Sequence, residues 1–133
     1  MLPSGLPERV ADEEELSRFL TQSNLFKGDI VKPAAFLPSP KHRNTSVFRT
    51  GEDRQRWQAA WTAAQGEREL KAVAIVQTAE IRLASLDVFA QEPPLRHANI
   101  ERWPWLDHDL EMQKAAQKEL AAVIASKARA VGV

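Results

Sequence analysis

The sequence predicts an α+β fold: a small, mostly antiparallel sheet of four to five strands with two main helices packed on it. Three observations carry this. Trp57, Ala60, Trp61 and Ala64 recur at helical spacing, as do Met112, Ala116, Leu120, Val123, Ile124 and Val131. Three short runs rich in β-branched and aromatic residues, Ser46–Arg49, Ala72–Val76 and Leu86–Phe89, read as strands. The connections are brief and marked by Pro and Gly, which suits antiparallel pairing better than long parallel crossovers.

Taken in order, residues 1–11 hold Pro3, Gly5 and Pro7 and no periodicity, so they read as a flexible arm before a single domain over 12–133. Asp12 with Glu15 resembles a capping box that would open a helix through Leu16, Phe19 and Leu20. The rival reading makes Ser17–Thr21 a short strand; the local pattern leans to the helix, and 13–20 stays open between the two. Ser23-Asn24 and Gly28-Asp29 mark turns. Pro33 keeps Lys32 extended, and Ala35-Phe36-Leu37 then pairs with Ser46–Arg49 in a hairpin. Its loop carries Lys41, His42 and Arg43 at the tip.

Thr50 with Asp53 is a second capping-box variant, which predicts a helix over about 51–65 that stops at Gly66. Its two tryptophans, one turn apart, form a large anchor for packing on the sheet. Ala72–Val76 reads as a central strand. Thr78 caps a brief helix over 79–84 with Ile81 inward, and this helix with its flanking strands makes a small crossover unit. Asp107 or Asp109 caps the last helix, whose many alanines allow close packing on the sheet or on a second copy.

Charge and composition bound the function. The chain has 133 residues with 18 basic and 18 acidic side chains, a balance that disfavours a dedicated nucleic-acid binder. With no cysteine, disulfides, thiolate metal sites and thiol nucleophiles are excluded, and the balance leans to a reducing cytoplasm. No apolar run approaches the ~20 residues of a membrane span, and the N-terminus lacks the basic and apolar regions of a signal peptide. The five glycines are scattered, so no phosphate-cradling loop exists. His42, His97 and His108 lack metal-ligand spacing, and neither metal nor cofactor is expected.

His97 is the best candidate for chemistry, because imidazole moves protons near neutral pH and this one follows a Pro-rich loop. Asn99 either orients it or caps a turn. The plain alternative is that His97 pins the loop before Trp103. Ser46 and Arg49 point to opposite faces of their strand. Arg49 is the one expected to join Lys41 and Arg43, with His97 and Asn99, around an anion. A Ser46–His97–Asp107 triad can be drawn, but no nucleophile elbow supports it.

The segments Val31–Phe36, Thr45–Arg49 and His97–Ile100, followed by Trp103-Pro104, resemble a group of short bacterial proteins of uncharacterised function. These share an "AF-P" strand, an "LSV-R" strand and a "HANI–GWP" element before a C-terminal helix. The resemblance covers about residues 17–125. It implies an α+β fold, a strand at 17–21 and no particular activity. Thr45 stands where the group has leucine and Arg102 where it has glycine, so a left-handed turn is not expected at Arg102.

Two functional expectations follow. The first is a non-enzymatic protein-interaction module with Trp103, Pro104 and Trp105 as its surface, its partner encoded by a neighbouring gene. The second is a small enzyme or ligand-binding domain acting on a nucleotide or nucleic-acid phosphate through His97 and the Lys41/Arg43/Arg49 cluster. Homodimerisation through the alanine-rich helix is compatible with either.

Overall fold

A computed structural model describes residues 1–64 and 66–133. Gln65, the expected last residue of the Trp57/Trp61 helix, lies outside the described residues. The fold is α+β, built on an antiparallel sheet of six strands. In chain order these are β1 (Glu15–Leu20), β4 (Thr45–Phe48), β5 (Ala72–Gln77), β6 (Asp87–Ala90), β7 (His97–Glu101) and β8 (Arg129–Gly132), and across the sheet their order is β6-β7-β4-β1-β5-β8. A separate ribbon pairs β2 (Phe26–Lys27) with β3 (Ile30–Val31). The helices are α1 (Arg54–Ala63), α2 (Thr78–Leu83) and α3 (Leu110–Lys127). The sheet therefore exceeds the expected four to five strands; α1 and α3 are the two main helices, and α2 is the brief helix expected at 79–84.

The open choice at 13–20 resolves as strand. Leu16, Ser17 and Leu20 are each fully buried, on alternate faces, because β1 lies inside the sheet and both its sides are covered. It pairs in full with β5, from Glu15 opposite Gln77 to Leu20 opposite Ala72. On the other side it meets β4 at Ser17 and Phe48 alone. Beyond that bridge the Arg18 side chain spans the gap: Nε donates to Ala35 O at 2.9 Å and Nη1 to Ser46 O at 2.9 Å. Its guanidinium substitutes for ladder bonds that the splayed strands cannot make.

The expected strand at Ala35–Leu37 is a 3₁₀ turn over Pro33–Phe36. Pro33 sits in its first turn, where the missing N–H costs nothing. Two side chains then fix its carbonyls: Arg18 on Ala35, and the Thr45 hydroxyl on Phe36 at 2.8 Å. The predicted hairpin is therefore absent, and β4 pairs with β7 instead, Ser46 opposite Asn99 and Phe48 opposite His97.

The Thr50–Asp53 capping box is also absent. Ser17 Oγ donates to Gly51 O at 2.7 Å, so the Thr50 hydroxyl, 2.7 Å away, donates to Ser17. Asp53 accepts Arg56 Nε at 2.9 Å, and α1 starts at Arg54. Gly51 has φ 48°, and a Cβ there would stand 3.1 Å from Glu15 Cβ, so the turn out of β4 requires glycine. Trp57 and Trp61 anchor α1 as expected. Trp57 is buried with Leu70, Val73 and Ile75, and Trp61 meets Phe19 edge-on at 6.0 Å.

β5 and β6 run parallel, but β7, β4 and β1 lie between them. The segment around α2 is thus a crossing of the sheet, not a compact crossover of neighbours. Ile81 points inward as read from the sequence. The larger core lies on the sheet face that carries Leu16, Val47, Val76 and Ile100, with Phe36, Ile81 and Ile124 against it. Asp109 caps α3, its Oδ1 accepting Met112 N–H at 3.0 Å. The buried side of α3 is Gln117, Ala121, Ile124 and Ala125. Met112 and Val123, expected in the core stripe, are 58% and 43% exposed. Val131, the expected end of that stripe, belongs to β8. The arm at 1–11 is tied to the domain: Val10 lies in the core, and Ser4 N–H and Oγ both bond the Glu92 carboxylate.

Candidate functional site

α1 packs over Val73 and Ile75 of β5. None of its residues lines the open depression of about 420 Å³ farther along the same sheet face, which is lined by His42, Asn44, Ser46, Gln91, His97 and Asn99. Alternation along the strands decides membership. Ser46, His97 and Asn99 lie on the opposite face to Val47, Ala98 and Ile100, which enter the core; Ser46 and His97 are half-buried and Asn99 is buried. Phe89, opposite Asn99 on β6, extends this face and is 42% exposed. The Arg102 guanidinium lies 5.5 Å from its ring centroid.

His97 sits between two partners. Its Nδ1 is 2.9 Å from Gln91 O, and its Nε2 is 2.7 Å from Ser46 Oγ. A carbonyl only accepts, so Nδ1 carries the proton in the neutral ring, Nε2 presents its lone pair, and the Ser46 hydroxyl donates to it. Burial pushes the imidazole below its ordinary pKa, with the Gln91 bond opposing. The ring is therefore an oriented, neutral base at pH 7. Phe48 braces it edge-on, with centroids 5.2 Å apart. Asn99 Nδ2 donates to Gln91 Oε1, so Gln91 orients both His97 and Asn99.

The five residues expected to gather around an anion do not converge. His97 and Asn99 share the depression. Arg49 faces the other way and is buried against the arm, where Nε and Nη2 grip Glu14 at 2.9 and 2.8 Å and Nη1 donates to Pro7 O at 2.7 Å. Arg43 bonds Asp107 at 3.1 Å and lies 4.7 Å over Trp105. Lys41 is exposed in the loop and does not line the depression. Asp107, held by Arg43, is not the third member of a Ser46–His97 chain; that place belongs to the Gln91 carbonyl.

Of the expected Trp103–Trp105 surface, Pro104 and Trp105 are half-buried and Trp103 is not available to a partner. Trp103 is 3% exposed, and its Nε1 finds no acceptor among the described residues. Pro104 O accepts Gln117 Nε2 at 2.8 Å, which ties this segment to α3. Arg102 adopts φ 72°, so the left-handed turn forms there without glycine.

Sequence reasoning set Ser46 aside and missed Asn44 and Gln91. The alternation that puts Ser46 and Phe48 on one face was a usable signal. Nothing local marked Gln91, because its role rests on a backbone carbonyl across the β6–β7 connection. Among the described residues no three His, Asp or Glu side chains are placed to hold a metal ion, and no helix is long and apolar enough to cross a membrane. No family model, curated protein or solved structure matches the chain.

Proposed function

We propose that this chain is a ligand-binding domain whose site is the His97 depression, and that its ligand is small, uncharged and rich in hydroxyl or amide groups. The observation that carries this reading is the lining itself: six hydrogen-bonding side chains, all but the two imidazoles without ionisable groups, from β4, β7 and the segments beside them, with none from α1. Such convergent polar groups fix the orientation of a bound molecule. The phosphate version of the reading loses support because Arg49 and Arg43 are committed to Glu14 and Asp107.

Uridine and uridine monophosphate are the discriminating probes in an amide-shift titration. The expectation is perturbation of Ser46, Gln91, His97 and Asn99 by uridine, with no gain in affinity from the phosphate. Tighter binding of the monophosphate would restore the anion reading, and no shift with either probe would remove the site.

A protein-interaction module is the second reading, with a second copy of the chain as the partner. It is favoured by Met112 and Val123, exposed on one side of α3 with Ala115 and Ala116 between them. Glu119 interrupts that strip, so this reading ranks second. Sedimentation that shows only monomer at high concentration would eliminate it.

A further inference from the structure

We propose that Ser46 is a base-activated nucleophile that accepts an acyl group from small esters, with His97 as its proton acceptor. This inference rests on the ligand site proposed above and names the chemistry of that site. An ordinary serine hydroxyl is a weak nucleophile, and it becomes effective when a base at hydrogen-bond distance takes its proton and a third group orients that base. All three parts are present. Ser46 Oγ is 2.7 Å from His97 Nε2, and His97 Nδ1 is 2.9 Å from the Gln91 carbonyl. That carbonyl fixes the tautomer in which Nε2 is free to accept.

The couple opens into the depression, where an ester can approach Oγ. Asn44 lines the same space. The Asn99 amide uses one N–H on Gln91, and the other is available. These amides supply donors for the oxygen that becomes negative in a tetrahedral intermediate.

The step balances without a further reactant. Ser46 Oγ attacks the ester carbonyl carbon while its proton passes to His97 Nε2. The C–O bond to the leaving alcohol then breaks, and the alkoxide takes the proton from His97. The products are acyl-Ser46 and a free alcohol. Water attacking the acyl-serine, with His97 again accepting and returning a proton, restores Ser46 and releases a carboxylic acid. The substrate class is a short acyl ester of a hydroxyl-bearing molecule such as the proposed ligand.

The test uses p-nitrophenyl acetate on the intact chain. The expected result is p-nitrophenolate release with one acetyl group, mapped by peptide mass to Ser46. Ser46→Ala should abolish it, and His97→Gln should slow it by roughly 100-fold or more. On the wild-type chain the rate should rise with pH to a plateau, with its inflection below the ordinary histidine value of about 6.5. This profile needs no variant to fold. No acetylation, acetyl on lysines alone, a rate that climbs steadily through alkaline pH, or an unchanged rate in His97→Gln would each overturn the inference. Uridine shifts without acetylation would remove this inference and leave the binding site, whereas absence of both would remove both.

Discussion

Ser46 and His97 are diagonal neighbours, not direct partners, across the β4–β7 ladder. Ser46 pairs with Asn99 and His97 with Phe48, yet Ser46 Oγ reaches His97 Nε2 at 2.7 Å. The diagonal works because the Gln91 carbonyl turns the imidazole along the strand and Phe48 supports its edge. The hydrogen bond is thus a product of register, and a one-residue slip of β7 would send His97 into the core.

Acid should weaken the fold through His97. Burial holds the folded imidazole below its ordinary value, so as pH falls the unfolded chain binds the proton first. The stability tied to neutral His97 is complete above about pH 6.5 and is lost progressively as pH drops towards the folded value. Urea midpoints measured between about pH 7.5 and about pH 5 should fall more steeply for wild type than for His97→Gln. Parallel curves would mean that burial does not control this ring.

Arg49 is a clamp, and its removal should be expensive. Its side chain is 0% exposed and bonds both Glu14 oxygens and the Pro7 carbonyl. Arg49→Met leaves the Pro7 carbonyl without this donor and Glu14 with the Ala11 N–H, and should cost about 3 kcal/mol. Urea denaturation checks this, and a loss below about 1 kcal/mol would place the clamp among ordinary surface pairs. Glu14 adds a pH signature. Burial raises its pKa, but hydrogen bonds from Arg49 and Ala11 and the charges of Arg49 and Arg82 bring it below the usual value. That contribution is present above the unfolded carboxylate value and disappears as pH falls through the folded one. The acid limb should therefore be shallower in Arg49→Met.

Arg18 holds the seam between the two halves of the sheet. Its guanidinium is lowered to about 10 by burial, so it stays charged at neutral pH. Lysine offers one compact ammonium and cannot donate to Ala35 O and Ser46 O in the same planar fork. Arg18→Lys should cost about 1.5–3 kcal/mol. Hydrogen exchange should also quicken in β4 while the β5–β8 pairing stays protected. Uniform loss of protection would show that the seam is not a separate point of opening.

Gly66 is required by packing, not by a left-handed turn. A Cβ there would collide with the Trp61 indole. The ring cannot swing away freely, since its Nε1 donates to Arg68 O at 2.8 Å. Gly66→Ala should destabilise by about 1–3 kcal/mol, and in the Trp61→Ala background the penalty should shrink. An equal penalty in both backgrounds would put the cause in the backbone.

Much of the α+β architecture was legible. Periodicity located α1 and α3, the apolar run gave β5, and Asp109 was one of two named caps. Three local readings failed for one reason: competing partners lay far off in sequence. Ala35 and Phe36 look extended until Arg18 and Thr45 take their carbonyls. Thr50 looks like a cap, but its hydroxyl packs against Ser17 and the Asp53 N–H that it would accept bonds the Thr50 carbonyl instead. Val131 fits a helical stripe, but the chain leaves the helix at Ala128 and β8 completes the edge of β5.

The sequence by itself determined the class of fold, the aromatic anchor of α1 and the nomination of His97 and Asn99, because spacing and residue type are local properties. Tertiary structure alone decided which strands neighbour one another. That choice turned Arg49 towards Glu14 and brought Ser46 to His97. It also put a backbone carbonyl, which no side-chain pattern encodes, in the place where an acidic residue was sought.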